Sequence, residues 1–126
     1  PKIIHIIWLQ EEMSSLRMMY LKMCMALHPL WKFKLWKVSD LGSFTAVQQQ
    51  ISESNDQRQI SDLLRYEILY KTGGLYWVSD FFFFKSLDSI PLDFPIICHE
   101  DGASRIHISI SNGITRHFGL WGYRCI

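Results

Sequence analysis

No two cysteines in this chain lie close enough to form half of a zinc site: Cys24, Cys98 and Cys125 are far apart, and three cannot all pair with one another. Inert thiols or a reducing compartment are therefore the expectation. No apolar run reaches the roughly 18 to 20 residues that span a bilayer. The first residues also lack a basic stretch followed by a long apolar one, so a soluble chain without a membrane span is expected. An excess of one charge is missing too. Thirteen basic residues against twelve acidic ones leave a formal charge of +1, which supplies no overall field to recruit nucleic acid or an anionic membrane. Any affinity for anions has to be local. An initiator methionine is absent, and the ending Tyr123-Arg124-Cys125-Ile126 is one expected of a portion of a longer chain.

What is present is apolar and aromatic. With 126 residues, 48% hydrophobic and 14% aromatic, the chain can build a real core as a single domain over 1–126, and disorder is not expected. The stretch Ser61 to Asp88 organises the rest and reads as helix, turn, strand. Ile60, Leu63, Leu64, Ile68 and Leu69 recur at helical spacing, which leaves Asp62 and Arg65 together on a neighbouring face. Gly73 follows the last periodic residues, where a helix ends in a conformation that glycine adopts cheaply. From Leu75 to Phe84 the residues are aromatic, branched or leucine, as in a buried strand, apart from Ser79 and Asp80. A buried carboxylate costs on the order of several kcal/mol unless a cation or hydrogen bonds compensate it, so Asp80 needs a partner.

Pro1 to Leu9 is a β-branched run around His5, read as a buried strand, and Gln10 to Ser15 is a loop. Leu16 to Leu27, rich in Met and Leu, predicts a helix with most of its surface covered, ended by His28-Pro29. Trp31, Phe33 and Leu35 alternate with lysines in a half-exposed strand. A turn at Ser39 to Gly42, a short helix and a solvated loop lead to Ile60. Ile96 to Cys98 and Ile106 to Ile110 read as short strands, the second followed by the turn signal Asn112-Gly113. The five histidines have no metal spacing and read as ordinary loop or strand residues. Strands alternating with helices predict an α/β domain with a largely parallel sheet, in which ligands bind beyond the carboxyl ends of the strands. Trp8 and Asp80 both fall near such ends.

Four segments, in order, resemble a known family: Pro1-Lys2-Ile3-Ile4-His5-Ile6-Ile7-Trp8, the strand from His28 to Trp36, the helix and glycine turn from Ser61 to Tyr76, and Ile110-Ser111-Asn112-Gly113. The family is the glycosyltransferases of GT-A fold with an Asp-x-Asp sugar-binding region, which includes fungal and bacterial mannosyl- and galactosyl-transferases and capsular polysaccharide enzymes. The resemblance implies a Rossmann-like, nucleotide-sugar-binding α/β fold, incomplete at its C-terminus. It implies that Trp8 stacks on the base of a UDP- or GDP-hexose, that Asp62 and Arg65 hold sugar hydroxyls and a phosphate oxygen, and that Ser61, Tyr76 and Asn112 line the same pocket. Asp80 matches the second aspartate of the motif, a ligand for Mn²⁺ or Mg²⁺. Val78 stands where the first aspartate is expected, which weakens the metal site.

Each of these residues has a plainer reading as well. Trp8 suits a core, Asp62 and Arg65 a surface ion pair, Ser61 a helix N-cap, Asp80 a carboxylate met by backbone N–H groups, and Asn112 a simple turn. The resemblance implies hexosyl transfer with retention to a glycan or lipid acceptor, aided by Arg65 and the metal at Asp80. It places the protein in the cytoplasm if bacterial and in the Golgi lumen if eukaryotic. The alternatives are a donor-binding relic without catalysis and an unrelated α/β interaction domain.

Overall fold

The structure is a computed structural model that describes residues 1–44, 53, 55–77, 79 and 83–89, and the backbone of 96–99 and 106–110. Val78, Asp80 and Asn112 lie outside the described residues, as does the predicted short helix after residue 44.

A strand as uniformly apolar as β1 (Ile3–Ile7) is stable only with both faces covered and both edges paired. It is the central strand. β2 (Lys32–Trp36) runs parallel to it on one side, with Ile3 opposite Lys32 and Ile7 opposite Trp36. β3 (Leu75–Tyr76) runs parallel on the other side, with His5 opposite Tyr76. Parallel neighbours require crossovers. Helix α1 (Ser15–Leu27) joins β1 to β2, and helix α2 (Gln57–Thr72) precedes β3. The arrangement is α/β, as expected for part of a GT-A fold. β4 (Ile96–His99) and β5 (Ile106–Ile110) form a separate antiparallel pair.

Alternation along the strands sorts the core into two layers. Ile4 and Ile6 share one layer with Leu75, Trp77, Cys24, Trp31 and Leu87 on the α1 side. Ile7 and Leu9 share the other with Tyr76, Phe44, Ile60, Leu64 and Ile68 on the α2 side. Ile4, Ile6, Leu64 and Ile68 are essentially inaccessible to water, and burying each contributes about 2 kcal/mol before chain entropy is counted.

Three expectations are corrected. Helix α1 is not mostly covered: Cys24 is its buried residue, while Leu16, Met18, Met19, Met23 and Met25 are exposed. A helix turns about 100° per residue, so a single sheet beneath it takes one stripe and leaves the rest to solvent. Helix α2 begins a turn earlier than Ser61, because Asp56 caps it by accepting from Arg58 N at 2.9 Å. Strand β3 is shorter than the aromatic run that predicts it; Trp77 N still donates to His5 O at 2.9 Å, but Phe84 is 82% exposed. Strand propensity without a pairing partner does not make a strand.

The glycine turn forms where expected. Gly73, at φ 66°, donates its N–H to Leu69 O at 2.9 Å and stops the helix. Gly74, at φ 88°, passes so close to β1 that a Cβ there would lie 2.6 Å from Ile3 O. The two glycines bring the chain from α2 directly onto the edge of β1.

Candidate functional site

The middle of β1 is held by a buried histidine, His5. Trp36 Nε1 has only a proton to give, and it lies 3.1 Å from His5 Nδ1, so Nδ1 is the acceptor. The imidazole proton is therefore on Nε2, which donates to Gly73 O at 2.9 Å and lies 3.1 Å from Thr72 Oγ1. Burial pushes the His5 pKa below its ordinary value, opposed by the Gly73 hydrogen bond. One neutral ring thus ties β1 to β2 and to the glycine turn.

Tyr76 follows that turn and is the floor of a cationic site. The Arg65 guanidinium stands 4.7 Å over the Tyr76 ring and its Nη2 donates to the Asp62 carboxylate. Residues three apart on a helix share a face, so α2 presents both. The Arg65 side chain is 14% exposed, and its Nε is buried with no hydrogen-bond partner among the described residues. Leaving such a donor unmet costs on the order of 1–3 kcal/mol. The Asp62 side chain, 59% exposed, keeps acceptor capacity toward solvent. A carboxylate that can accept from hydroxyls beside a guanidinium with an unused donor suits a polyhydroxylated, anionic ligand.

Trp8 has different neighbours. It continues the alternation of Ile4 and Ile6, and its N–H donates to Trp36 O at 2.9 Å. The Arg17 guanidinium of α1 lies 5.4 Å from the centre of the indole ring. Trp8 is 9% exposed and its Nε1 has no hydrogen-bond partner among the described residues. Beside it, Gln57 Nε2 donates to Leu9 O at 3.4 Å, which ties the start of α2 to the end of β1.

A second buried histidine anchors the segment that follows the predicted motif. His28 Nδ1 donates to Cys24 O at 2.7 Å, and Nε2 accepts from Leu87 N at 3.0 Å. Asp88 accepts from Trp31 Nε1 at 3.0 Å and pairs with Lys2. These hydrogen bonds, Lys2 first and Trp31 second, hold its carboxyl down at about 2. Burial pushes the Cys24 thiol up to about 12, which disfavours its thiolate form.

The described contacts therefore join Asp62, Arg65 and Tyr76 and set Trp8 apart with Arg17. Ser61 sits in the second turn of α2, so its plainer reading as an N-cap is corrected: Asp56 takes that role. Asp80 and Asn112 fall outside the described residues. Arg17, Gln57 and His5 are the residues that sequence reasoning missed. An arginine in the first turn of α1, where acids are favoured and none occurs, was the available signal for the first.

Comparison with known proteins agrees with this α/β frame. A family profile described as glycosyltransferase sugar-binding region containing DXD motif matches residues 9–95. Inositol phosphoceramide mannosyltransferase 3 of Schizosaccharomyces pombe is 33% identical over 97 residues, which cover 71% of this chain and 27% of that protein. The chain thus spans about a quarter of that relative's length. No solved structure matches. The chain belongs to the glycosyltransferases whose sugar-binding region contains a DXD motif.

Proposed function

We propose that this chain forms the donor-binding part of a hexosyltransferase that takes its sugar from a nucleotide diphosphate. The observation that carries this reading is the Asp62–Arg65 pair on the Tyr76 ring, with a buried Arg65 N–H left over. Arg65 binds a diphosphate oxygen through that unused donor, and Asp62 accepts hydroxyls of the hexose. Tyr76 holds the guanidinium in place from below, and Ser61 lies one residue before Asp62 on the same helix. Trp8, at the end of the neighbouring strand, takes the base, and Asn112 is a further donor contact on this reading.

Transfer breaks the bond between the sugar and the diphosphate, and the barrier is the charge that builds on the departing oxygens. Arg65 opposes that charge, being a fixed cation at the place where it develops. A Mn²⁺ or Mg²⁺ ion, when bound, supplies further neutralisation of the same oxygens. The donor set is sparse: among the described residues no three of His, Cys, Asp and Glu converge, and Asp62 is already met by Arg65. Such an ion needs only one or two carboxylates when diphosphate oxygens and water complete its shell. Asp80 would hold it, more weakly for having Val78 in place of a second acid. Among the described residues no side chain stands as a general base, which suits transfer with retention. The mannosyltransferase named above favours mannose as the hexose and a lipid as the acceptor. Its source is a fungus, which favours the Golgi lumen, expected for eukaryotic members, over the cytoplasm.

The test is hydrolysis of UDP- and GDP-hexoses with and without Mn²⁺, in the wild type and in Val78→Asp. Metal-dependent turnover that rises about tenfold in Val78→Asp supports an enzyme with a weakened metal site. Donor binding without turnover in either protein supports the donor-binding relic instead.

A further inference from the structure

Residues 73–77 are gripped at both ends by a single residue of the central strand. At one end His5 Nε2 donates to Gly73 O at 2.9 Å, and at the other His5 O accepts from Trp77 N at 2.9 Å. The same Nε2 lies 3.1 Å from Thr72 Oγ1, whose own proton goes to Ile68 O at 2.6 Å, so the grip reaches into the last turn of α2. Tyr76 falls inside the gripped span. It stands opposite His5 in the sheet, and the Arg65 guanidinium lies 4.7 Å over its ring. Ring and guanidinium thus belong to β3 and α2, the two elements that His5 joins.

The grip works with a neutral ring in one tautomer. Trp36 Nε1 occupies Nδ1 from 3.1 Å, and at 1% exposure the ring has no water to turn to. A second proton sets Nδ1–H against the indole N–H. One ring must then swing away, and a swing of the imidazole pulls Nε2 off Gly73 O. The charged and titratable groups around His5 are few. Lys34 stands opposite it in β2, 4.8 Å over the Trp36 ring, and the Tyr76 phenol stands opposite it in β3. Lys71, paired with Glu67, lies 6.0 Å over Phe44, whose ring is 5.3 Å from that of Trp36. Among the described residues none of the hydrogen-bond partners of His5 is a carboxylate that would stabilise the extra charge.

On the reading that Arg65 receives the donor diphosphate, we infer that His5 is a positioning residue for that site. Its neutral imidazole sets residues 73–77, and with them the Tyr76 ring that aims Arg65. A proton on His5 weakens donor binding although His5 touches no part of the donor. Proton and donor then compete through the turn, so affinity is full above the pH at which the free protein takes up that proton and falls below it. Burial puts this point below the ordinary 6.5 of histidine.

Calorimetric titration of UDP-glucose and GDP-mannose into the 126-residue chain at pH 7.5 and pH 5.5 tests the assignment. Both phosphates of these donors are diesterified and keep their charge over that range. Wild type is compared with His5→Gln, His5→Leu, Trp36→Phe and Arg65→Ala, and circular dichroism at each pH gives the concentration of folded protein. The expected result is that wild-type affinity falls about tenfold between the two pH values. His5→Gln, whose amide can donate to Gly73 O and takes up no proton, should bind within about threefold of wild type at pH 7.5 and equally at pH 5.5. His5→Leu should bind about tenfold more weakly at both. Trp36→Phe, which removes the opposing N–H, should show a smaller fall than wild type.

Wild-type affinity that is the same at both pH values would overturn the proposal, as would an equal fall in His5→Gln. So would His5→Leu binding like wild type, or His5→Gln binding no better than His5→Leu. Failure of the underlying reading has a different signature: wild type that binds neither donor at pH 7.5, or binding that Arg65→Ala leaves intact, removes the diphosphate site and the role of His5 with it.

Discussion

The indole N–H of Trp36 points at His5 Nδ1 from 3.1 Å, and this contact, with burial, favours the neutral histidine. A protonated ring would set N–H against N–H. The fold favours the neutral form, with its proton directed to the Gly73 carbonyl.

Mild acid should therefore destabilise the protein. The folded pKa of His5 lies below the ordinary 6.5, chiefly because the ring is buried. Below pH 6.5 the unfolded chain takes up a proton that the folded one refuses, so the stability His5 provides is full above that value and is lost as pH falls. Thermal unfolding followed from pH 7.5 to pH 5 should show a falling midpoint. Trp36→Phe, which removes the opposing N–H, should show a shallower fall over the same range. An equal slope in both proteins would refute the role given to this contact.

The glycine turn makes a stricter demand. At Gly74, φ is 88° and an added Cβ would meet Ile3 O at 2.6 Å and His5 Nε2 at 3.2 Å. The first neighbour is backbone of the central strand and cannot yield without loosening β1. Gly74→Ala should lower stability by about 2 kcal/mol or more, measured by urea denaturation. A change below about 0.5 kcal/mol would mean that the turn does not sit against β1 as described.

A second acid transition should occur at lower pH. The Asp88 carboxyl is held at about 2 by Lys2 first and Trp31 second, against an ordinary 3.8. Its stabilising effect is complete above 3.8 and disappears as pH falls toward 2. The Asp88 side chain is a third exposed, so the effect is screened and small. Asp88→Asn should unfold with a flatter pH dependence between 4 and 2 than the wild type, and should leave the His5 transition near neutrality unchanged. Identical profiles below pH 4 would show that the Lys2–Asp88–Trp31 cluster contributes nothing.

Much of this was legible in the sequence, for reasons that differ from residue to residue. The helix before Gly73 was legible because its apolar spacing and its glycine stop are local signals. Asp62 and Arg65 were legible as a pair because three residues make nearly one turn. The start of α2 was not, since Ser54, Asn55 and Asp56 are all competent caps and only packing of Gln57 against Leu9 chooses among them. The roles of His5 and Arg17 were not legible either. His5 works through Trp36 and Gly73, 31 and 68 positions away, and Arg17 stands over a strand-end tryptophan that no helical period relates to it. Long-range contacts between unlike elements leave no period to read.

The central claim is that the guanidinium on Tyr76 receives the diphosphate of a sugar donor. Titrating UDP and GDP into wild type and Arg65→Ala by calorimetry tests it most directly. The account predicts that at least one of the two nucleotides binds the wild type and binds the folded variant about tenfold to a hundredfold more weakly. Equal affinity in the two proteins, or no binding of either nucleotide to the wild type, would contradict it.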